Sequence, residues 1–460
     1  MKKKVTLVFP RFKYPSGDFS LGLAYIGAYL RENVEGIDIS QIDTSYHPSM
    51  QYVREKLDKH SPDIVLIYTD TLMFQDAAKV AQECRKKGIH VLMGGPHPTI
   101  MPKKTVTLKA VDAICIGEGE ITSKEYIDEF YGEKKFEKVK GVWYKKGGRL
   151  FRNSPRPVIQ DLDKLPFPAV DLFEIETYIQ NFVQLDSYDS SIRGMSLIAS
   201  RGCPYQCSYC QPTLKHIFGP KLRIRSPENI IEEMKQLIQK YRIQAFYFQD
   251  DTLTVFKEWM RKFCSLLMKE NLGIVWACNT RADTYDADML KMMKKAGCVK
   301  IKVGVESITD RIRNGIYRKN VSRKQIEGLI RDCNKLGIQV AGFFMLGAPT
   351  ETEKEVWNTI SFAVRSDLTE ANFSITTPLP ETGLYNYVKD KGWTVPHDFS
   401  CFDYYQVKRP KMAKEEISIK KLRFYKKIAN FYFYLHPKRF WNTFRQSLNL
   451  KKLFLKLKRL

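Results

Sequence analysis

The chain has 460 residues, of which 43% are hydrophobic and 27% charged, and its formal net charge is +24. That balance belongs to a folded protein with room for two or three hydrophobic cores and excludes a broadly disordered chain. No stretch approaches the roughly 18–20 apolar residues of a membrane span, and the apolar run in MKKKVTLVFPRF is too short for a signal peptide. A cytoplasmic protein is expected.

Residues 1–135 alternate strands with helices. VTLVF (5–9), DISQID (38–43), DIVLIYT (63–69), HVLMGG (90–95) and DAICIGEGE (112–120) read as strands, with LGLAYIGAYLREN and FQDAAKVAQECRKKG between them. Near-continuous apolar strands crossed by helices predict an α/β, doubly wound parallel sheet, Rossmann-like, whose ligands bind beyond the strand carboxyl ends. Gly94, Gly95, Gly117 and Gly119 stand at those ends, where backbone without Cβ atoms can approach a flat or phosphate-bearing ligand. Residues 136–195 carry KKGGRL, RNSPRP and DKLPFPAVDLF, which read as a small hairpin and then an ordered linker.

Residues 196–385 open on SRGCPYQCSYCQP, in which Cys203, Cys207 and Cys210 spell CxxxCxxC. Three soft thiolates on one short loop can hold three irons of a [4Fe–4S] cluster and leave the fourth iron open to another ligand. A zinc site completed by His216 is the alternative. Zinc modules are usually small and metal-stabilised, whereas this loop sits inside a long α/β pattern. The strands that follow are AFYFQDD (245–251), IVWACNTRAD (274–283), IKVGVES (301–307), IQVAGFFMLGAP (338–349) and ANFSITTPLP (371–380), each separated by a helix-length amphipathic stretch. Such alternation predicts a partial (β/α)6 barrel of TIM type with its active site at the strand carboxyl ends. Asp250, Asp251, Arg281, Glu306 and Gly347 are placed there. Each of the first three has a structural alternative: a helix N-cap for either aspartate, and an Arg281–Asp283 pair. Gly347 could be a turn residue. Glu306 would be costly to bury behind IKVGV without a partner. Cys84, Cys115, Cys264, Cys278, Cys298, Cys333 and Cys401 fall mostly in helix or strand patterns and read as core thiols of a reducing compartment.

Residues 386–460 form a basic, helical end. From Cys401 to Leu460 there are 17 Lys and Arg against 3 Asp and Glu, which is +14 of the chain's +24. Phe440, Trp441, Phe444 and Leu448, then Leu450, Leu453, Phe454 and Leu457, recur at helical spacing with lysines between them. A basic amphipathic helix of this kind fits an anionic membrane surface, each basic residue contributing on the order of 1 kcal/mol. The alternatives are a helix packed on the core with its lysines in water, and an RNA contact. No compact RNA-binding module follows residue 385, so nucleic acid is not the expected partner.

The cluster loop, the GVES strand and the GAPTET turn resemble the radical S-adenosylmethionine (SAM) enzymes. The resemblance implies that Cys203, Cys207 and Cys210 ligate a [4Fe–4S] cluster whose open iron chelates SAM, and that an electron from the cluster cleaves SAM to a 5′-deoxyadenosyl radical. It places Tyr209 near the adenine, Asp250 and Asp251 near the methionine amino group, and Arg281 on a carboxylate or ribose hydroxyl. Glu306 would bond the ribose or amino group, and Gly347 and Pro349 would let backbone approach the nucleoside. An electron donor such as flavodoxin or ferredoxin is implied as a partner.

SLGLAYIGAYL, TDT, GGPHPT and GEGE, at the ends of successive N-terminal strands, resemble the cobalamin-binding domain that precedes many radical SAM domains. By that resemblance Thr69, Thr71, Gly94, Gly95, Gly117, Glu118 and Gly119 face the corrin or its nucleotide tail. Proteins that ligate cobalt through histidine carry DxHxxG after the first strand, but PRFKYPSGDFSLG holds no histidine. Cobalamin without a protein imidazole is therefore expected, and His97 reads as a loop residue. The implied reaction is methylation of an unactivated carbon, in which one SAM methylates cobalamin and a second supplies the radical. A lipid or other membrane-delivered small molecule is the expected substrate, and the two sets of strand ends would oppose one another. The alternatives are a cobalamin-dependent cyclase or rearrangement enzyme resembling the anaerobic magnesium-protoporphyrin ester cyclase, and a radical SAM RNA modifier without corrin.

Overall fold

The computed structural model describes residues 2–13, 17–393 and 416–440, and the chain divides into two compact units. The first comprises Met1–Tyr178 with Thr213–Arg223. Its strands β1 (Lys3–Phe9), β2 (Ile37–Asp43), β3 (Ile64–Tyr68), β4 (His90–Gly94) and β5 (Ala113–Cys115) are parallel in the order β2-β1-β3-β4-β5. Val8, Ile67, Val91 and Met93 from the strands pack with Val80 and Ala81 of the helix Phe74–Lys86, as expected of strands buried on both faces. The helix α1 (Leu21–Asn33) begins where the Ser20 hydroxyl accepts from the Leu23 N–H.

The hairpin read at the start of 136–195 is part of this sheet. Strands β6 (Val142–Lys146) and β7 (Arg149–Arg152) add to it antiparallel, with Ala113 opposite Tyr144. Val142 and Tyr144 are buried by the pairing, which also covers the free edge that β5 would otherwise leave.

The second unit contains Ile179–Pro212 and the described residues from Ile224 onward. Its parallel sheet runs in chain order through β8 (Gly194–Leu197), β9 (Ala245–Phe248), β10 (Val275–Thr280), β11 (Cys298–Glu306), β12 (Gln339–Leu346) and β13 (Glu370–Ile375). Helices with firm starts separate the strands: Ser322 with Gln325, and Thr352 with Glu355, form capping boxes. The sheet's outer face is apolar, with Phe248 and Trp276 edge-on to Phe263 of the helix Lys257–Glu270. Its inner face is polar, because Lys300, Lys302, Gly304 and Glu306 alternate with Ile301, Val303 and Val305 along β11. Phe182, Leu185 and Ile192 pack against Tyr247 and Ala277, and a Cβ at Gly194 would lie 2.2 Å from the Phe182 ring.

Cys84, Cys264, Cys278, Cys298 and Cys333 are fully buried, and Cys115 nearly so. They are core thiols as expected, while Cys401 lies outside the described residues. The helix α2 (Ile419–Tyr434) packs Leu422, Tyr425, Ala429 and Phe433 inward. The helical pattern read from Trp441 to Leu457 also lies outside the described residues. Among the described residues no helix is long and apolar enough to cross a membrane.

Candidate active site

The cysteine loop is fixed through its backbone. Ser208 donates from its N–H to the Tyr317 carbonyl (2.9 Å) and from its hydroxyl to the Ile316 carbonyl (2.7 Å). The N–H groups of Gly383 and Leu384 donate to the carbonyls of Gln211 and Ser208, both at 2.7 Å. Inside the loop the N–H groups of Cys210 and Gln211 converge on the Cys207 carbonyl at 3.1 and 2.9 Å. Cys207 is buried, and Cys203 and Cys210 are half-buried. Burial, then the charges of Cys207, Asp251 and Glu306, pushes the Cys210 thiol well above its ordinary range. Burial also raises Cys203, with Asp251 and Cys207 adding to it and Arg281 opposing. Thiols that oppose one another's ionisation are a donor set for a cationic metal group. Among the described residues no set of three His, Cys, Asp or Glu is placed to share one ion. In a cubane each of three thiolates takes its own iron, and the cysteine loop supplies that set.

Beside the loop lies a buried polar triad. The Glu306 Oε1 accepts from Lys319 Nζ at 2.8 Å and from the Tyr209 hydroxyl at 2.9 Å, and Lys319 also reaches the Tyr209 oxygen at 3.2 Å. Glu306 holds φ at +62°, rare for a residue with a side chain. The β11–β12 register shifts between Gly304 and Glu306. A bulge that re-aims one carboxylate is a feature of functional strand ends. A Cβ at Gly304 would lie 2.3 Å from Glu306 Oε1, so the glycine makes room for the triad. Lys319 was missed in the sequence because it follows β11 in an irregular loop that no periodicity marks.

The remaining strand-end residues are held by the protein's own groups. Asp250 is buried, with its carboxylate accepting from the Ala199 N–H (3.1 Å) and the Ser200 hydroxyl. It ties β9 to the segment after β8, while Asp251 is exposed. Neither caps the following helix, whose N-cap is Phe256. Arg281 pairs with Asp283 through Nε (3.0 Å) and Nη2 (2.9 Å) and also reaches the Cys207 sulfur. Gly347 makes room for a helix: at φ +80° its Cβ would lie 2.5 Å from Leu422 of α2. The turn that follows is closed by Glu351, whose Oε2 accepts from the N–H groups of Gly347 (2.6 Å) and Ala348 (2.9 Å). Sequence reasoning also passed over the inner-face group of Tyr247, Asn279 and Lys302. The Tyr247 hydroxyl donates to Asn279 Oδ1 at 2.8 Å, and Lys302 Nζ stands 4.0 Å from the Tyr247 ring centroid. The alternation of lysines in KIKVGVE was the available signal.

In the first unit the ends of β3, β4 and β5 come together. The Thr69 N–H donates to the Gly94 carbonyl (2.9 Å), and the Gly117 N–H to the Thr99 hydroxyl (3.0 Å). Gly95, at φ +105°, has no room for a Cβ, which would lie 2.8 Å from the Thr69 carbonyl oxygen. Gly119 is held likewise by Ile26. The Glu118 carboxylate accepts from Arg223 Nη1 at 3.0 and 2.9 Å and from the Ile159 N–H at 2.8 Å. Thr71 shares its hydroxyl with His97 Nδ1 at 3.2 Å. His97 is fully buried against Phe74, and burial, with Lys104 adding to it, pushes its pKa down to about 3.

Comparison with known proteins completes the picture. Residues 197–363 match the Radical SAM superfamily model and residues 18–127 the B12 binding domain model. An uncharacterized methyltransferase of Pyrococcus horikoshii is 34% identical over 372 residues, 80% of this chain and 78% of that protein. The chain belongs to the cobalamin-dependent radical SAM enzymes. An anaerobic magnesium-protoporphyrin IX monomethyl ester cyclase of Rubrivivax gelatinosus is 27% identical over 381 residues, 80% of this chain and 66% of the cyclase. Among solved structures the radical SAM methyltransferase TsrM of Kitasatospora setae shares the fold, with a TM-score of 0.71 at 18% identity over 85% of this chain and 75% of TsrM.

A radical SAM enzyme of this family uses a [4Fe–4S] cluster, SAM and cobalamin. The donor set of the cysteine loop fits the first. The strand ends around Thr69, Gly94 and Gly117 fit a corrin in that they offer backbone rather than bulky side chains. At Gly117 a Cβ would have no atom nearer than the Ile217 carbonyl oxygen at 3.8 Å.

Proposed function

We propose that this enzyme transfers a methyl group from SAM to an unactivated carbon of a small molecule. The observation that carries the reading is the 34% identity to a protein named as a methyltransferase, over four-fifths of this chain. When bound, the cluster supplies the electron that cleaves SAM and cobalamin carries the methyl group. Cys203, Cys207 and Cys210 would hold the cluster. Tyr209, Glu306 and Lys319 form one pre-arranged hydrogen-bonding group that would orient the ribose or amino group of SAM without reorganisation. Asp251 is the exposed carboxylate for the methionine amino group, and Asp250 positions it from the core. Thr69, Gly94 and Gly117 would meet the corrin, with Gly95 and Gly119 shaping the backbone around them. Tyr247, Asn279, Lys302 and the exposed Phe343 line the inner face of the sheet, where a substrate would be received away from water.

The similarity to the cyclases makes ring formation the second reading. Incubation of the reconstituted enzyme with methyl-labelled SAM and cell extract separates the two. A methylase forms S-adenosylhomocysteine and 5′-deoxyadenosine together and leaves label in a product. A cyclase forms 5′-deoxyadenosine alone.

The substrate and site of action also concern α2. Phe424, Phe431 and Tyr432 are more than half exposed on it, among the exposed Lys420, Arg423 and Lys427. Aromatic and basic side chains on one outward surface support peripheral contact with an anionic membrane and a membrane-delivered substrate.

A further inference from the structure

Arg281 has nearly all of its hydrogen-bonding capacity spent, and on what it is spent indicates its role. A guanidinium has five N–H donors in a fixed fork and no acceptor. Here Nε–H and one Nη2–H go to the two oxygens of Asp283 at 3.0 and 2.9 Å. The second Nη2–H goes to the Lys319 carbonyl at 2.6 Å, and an Nη1–H goes to the sulfur of Cys207 at 3.5 Å. One face of the guanidinium lies on Tyr205, 3.6 Å from the ring centroid. The side chain is buried and cannot turn without breaking these contacts. One N–H remains, too few for the two-pronged grip of a carboxylate.

We propose that Arg281 is a positioning residue for the iron–sulfur cluster, donating a charge-assisted hydrogen bond to the ligating sulfur of Cys207 and thereby raising the cluster's reduction potential. The inference rests on the cluster assignment made above. One electron from an external low-potential reductant enters the oxidised cluster, and no bond or proton changes at Arg281. The reduced cluster is the more negative form, so a fixed cation at a ligand sulfur stabilises it more than the oxidised form. Hydrogen bonds to cluster sulfurs are a recognised determinant of potential. Tyr205 and Asp283 hold the guanidinium at the sulfur, and Asp283 is itself partly open to solvent, so it offsets the cation only in part.

The test uses the full chain, anaerobically reconstituted, as wild type, Arg281→Gln and Arg281→Lys. Iron and sulfide are counted, and the cluster is titrated against solution potential by electron paramagnetic resonance without SAM. SAM affinity is then measured separately. Arg281→Gln is expected to hold the cluster while its reduced-to-oxidised ratio at a fixed potential falls about tenfold, equivalent to about 59 mV for a one-electron couple. Arg281→Lys keeps the charge but loses the fork and the stacking, and a smaller shift of the same sign is expected. SAM affinity should change little in either. An unshifted potential in Arg281→Gln overturns the proposal, as does a collapse of SAM affinity with the potential intact, which would make Arg281 a SAM ligand. If Arg281→Gln does not assemble the cluster, Arg281→Lys decides: a lowered potential supports the proposal and an unshifted one overturns it. Wild-type protein lacking iron would refute the cluster reading instead.

Discussion

Replacing Lys319 by Met removes the ammonium from a buried pair and leaves the Glu306 carboxylate with only the Tyr209 hydroxyl. Both side chains are less than a tenth exposed. Breaking such a pair from one side costs about 3–5 kcal/mol. The surviving hydrogen bond at 2.9 Å argues for the lower end, about 3 kcal/mol, because hydrogen bonds to charged groups contribute roughly 1.5–3 kcal/mol. With a urea m-value of about 3 kcal/mol/M, the midpoint of the unit's unfolding falls by about 1 M. The fluorescence of Trp259 and Trp276, both in the second unit, follows the transition in the apo-protein. Adding Glu306→Gln to Lys319→Met removes the stranded charge and keeps an acceptor for Tyr209, so more than half of the loss returns. Equal loss in the single and double variants would show that the two groups are not coupled.

Three further outcomes follow from the same structure. Burial raises the Glu351 carboxyl to about 7 from its ordinary value of 4.5, despite the opposing backbone hydrogen bonds. A carboxyl raised on folding stabilises fully below its unfolded pKa, and that contribution is lost as pH rises through its folded pKa. Wild type should therefore lose about 3 kcal/mol relative to Glu351→Gln between pH 4.5 and 7, and parallel urea midpoints across that range would contradict this. Gly95→Ala meets both a positive φ and the Thr69 carbonyl. A cost of about 1–3 kcal/mol should lower the melting temperature and reduce bound corrin after gel filtration, and an unchanged variant would show that Gly95 does not shape a corrin site. Phe424→Ser with Phe431→Ser alters exposed side chains only, so stability should hold while binding to phosphatidylserine-containing vesicles falls; equal binding would count against the membrane contact.

The sequence made the repeating parts of the fold legible and left the irregular ones obscure. Both parallel sheets followed from apolar runs alternating with amphipathic helices, and the cysteine spacing marked the loop. The hairpin at 142–152 was legible from its charged glycine turn, but its pairing with β5 depends on a tertiary edge that local pattern does not reveal. Among site residues, Glu306 was found because a carboxylate after an apolar strand requires a partner. Its partner Lys319 was not, since it comes from a loop thirteen positions on. Gly347 and Glu118 carried motif resemblance, yet their close contacts are Leu422 and Arg223. A motif fixes residue type, and only packing shows what the residue faces.

A chain of this family holds both a radical-generating cluster and a methyl-carrying corrin. The most direct measurement is anaerobic reconstitution with iron, sulfide and hydroxocobalamin, followed by gel filtration and incubation with dithionite and methyl-labelled SAM. About one corrin and four irons per chain are expected, with label recovered in the corrin fraction alongside S-adenosylhomocysteine. Protein that retains iron and cleaves SAM but binds no corrin would contradict it.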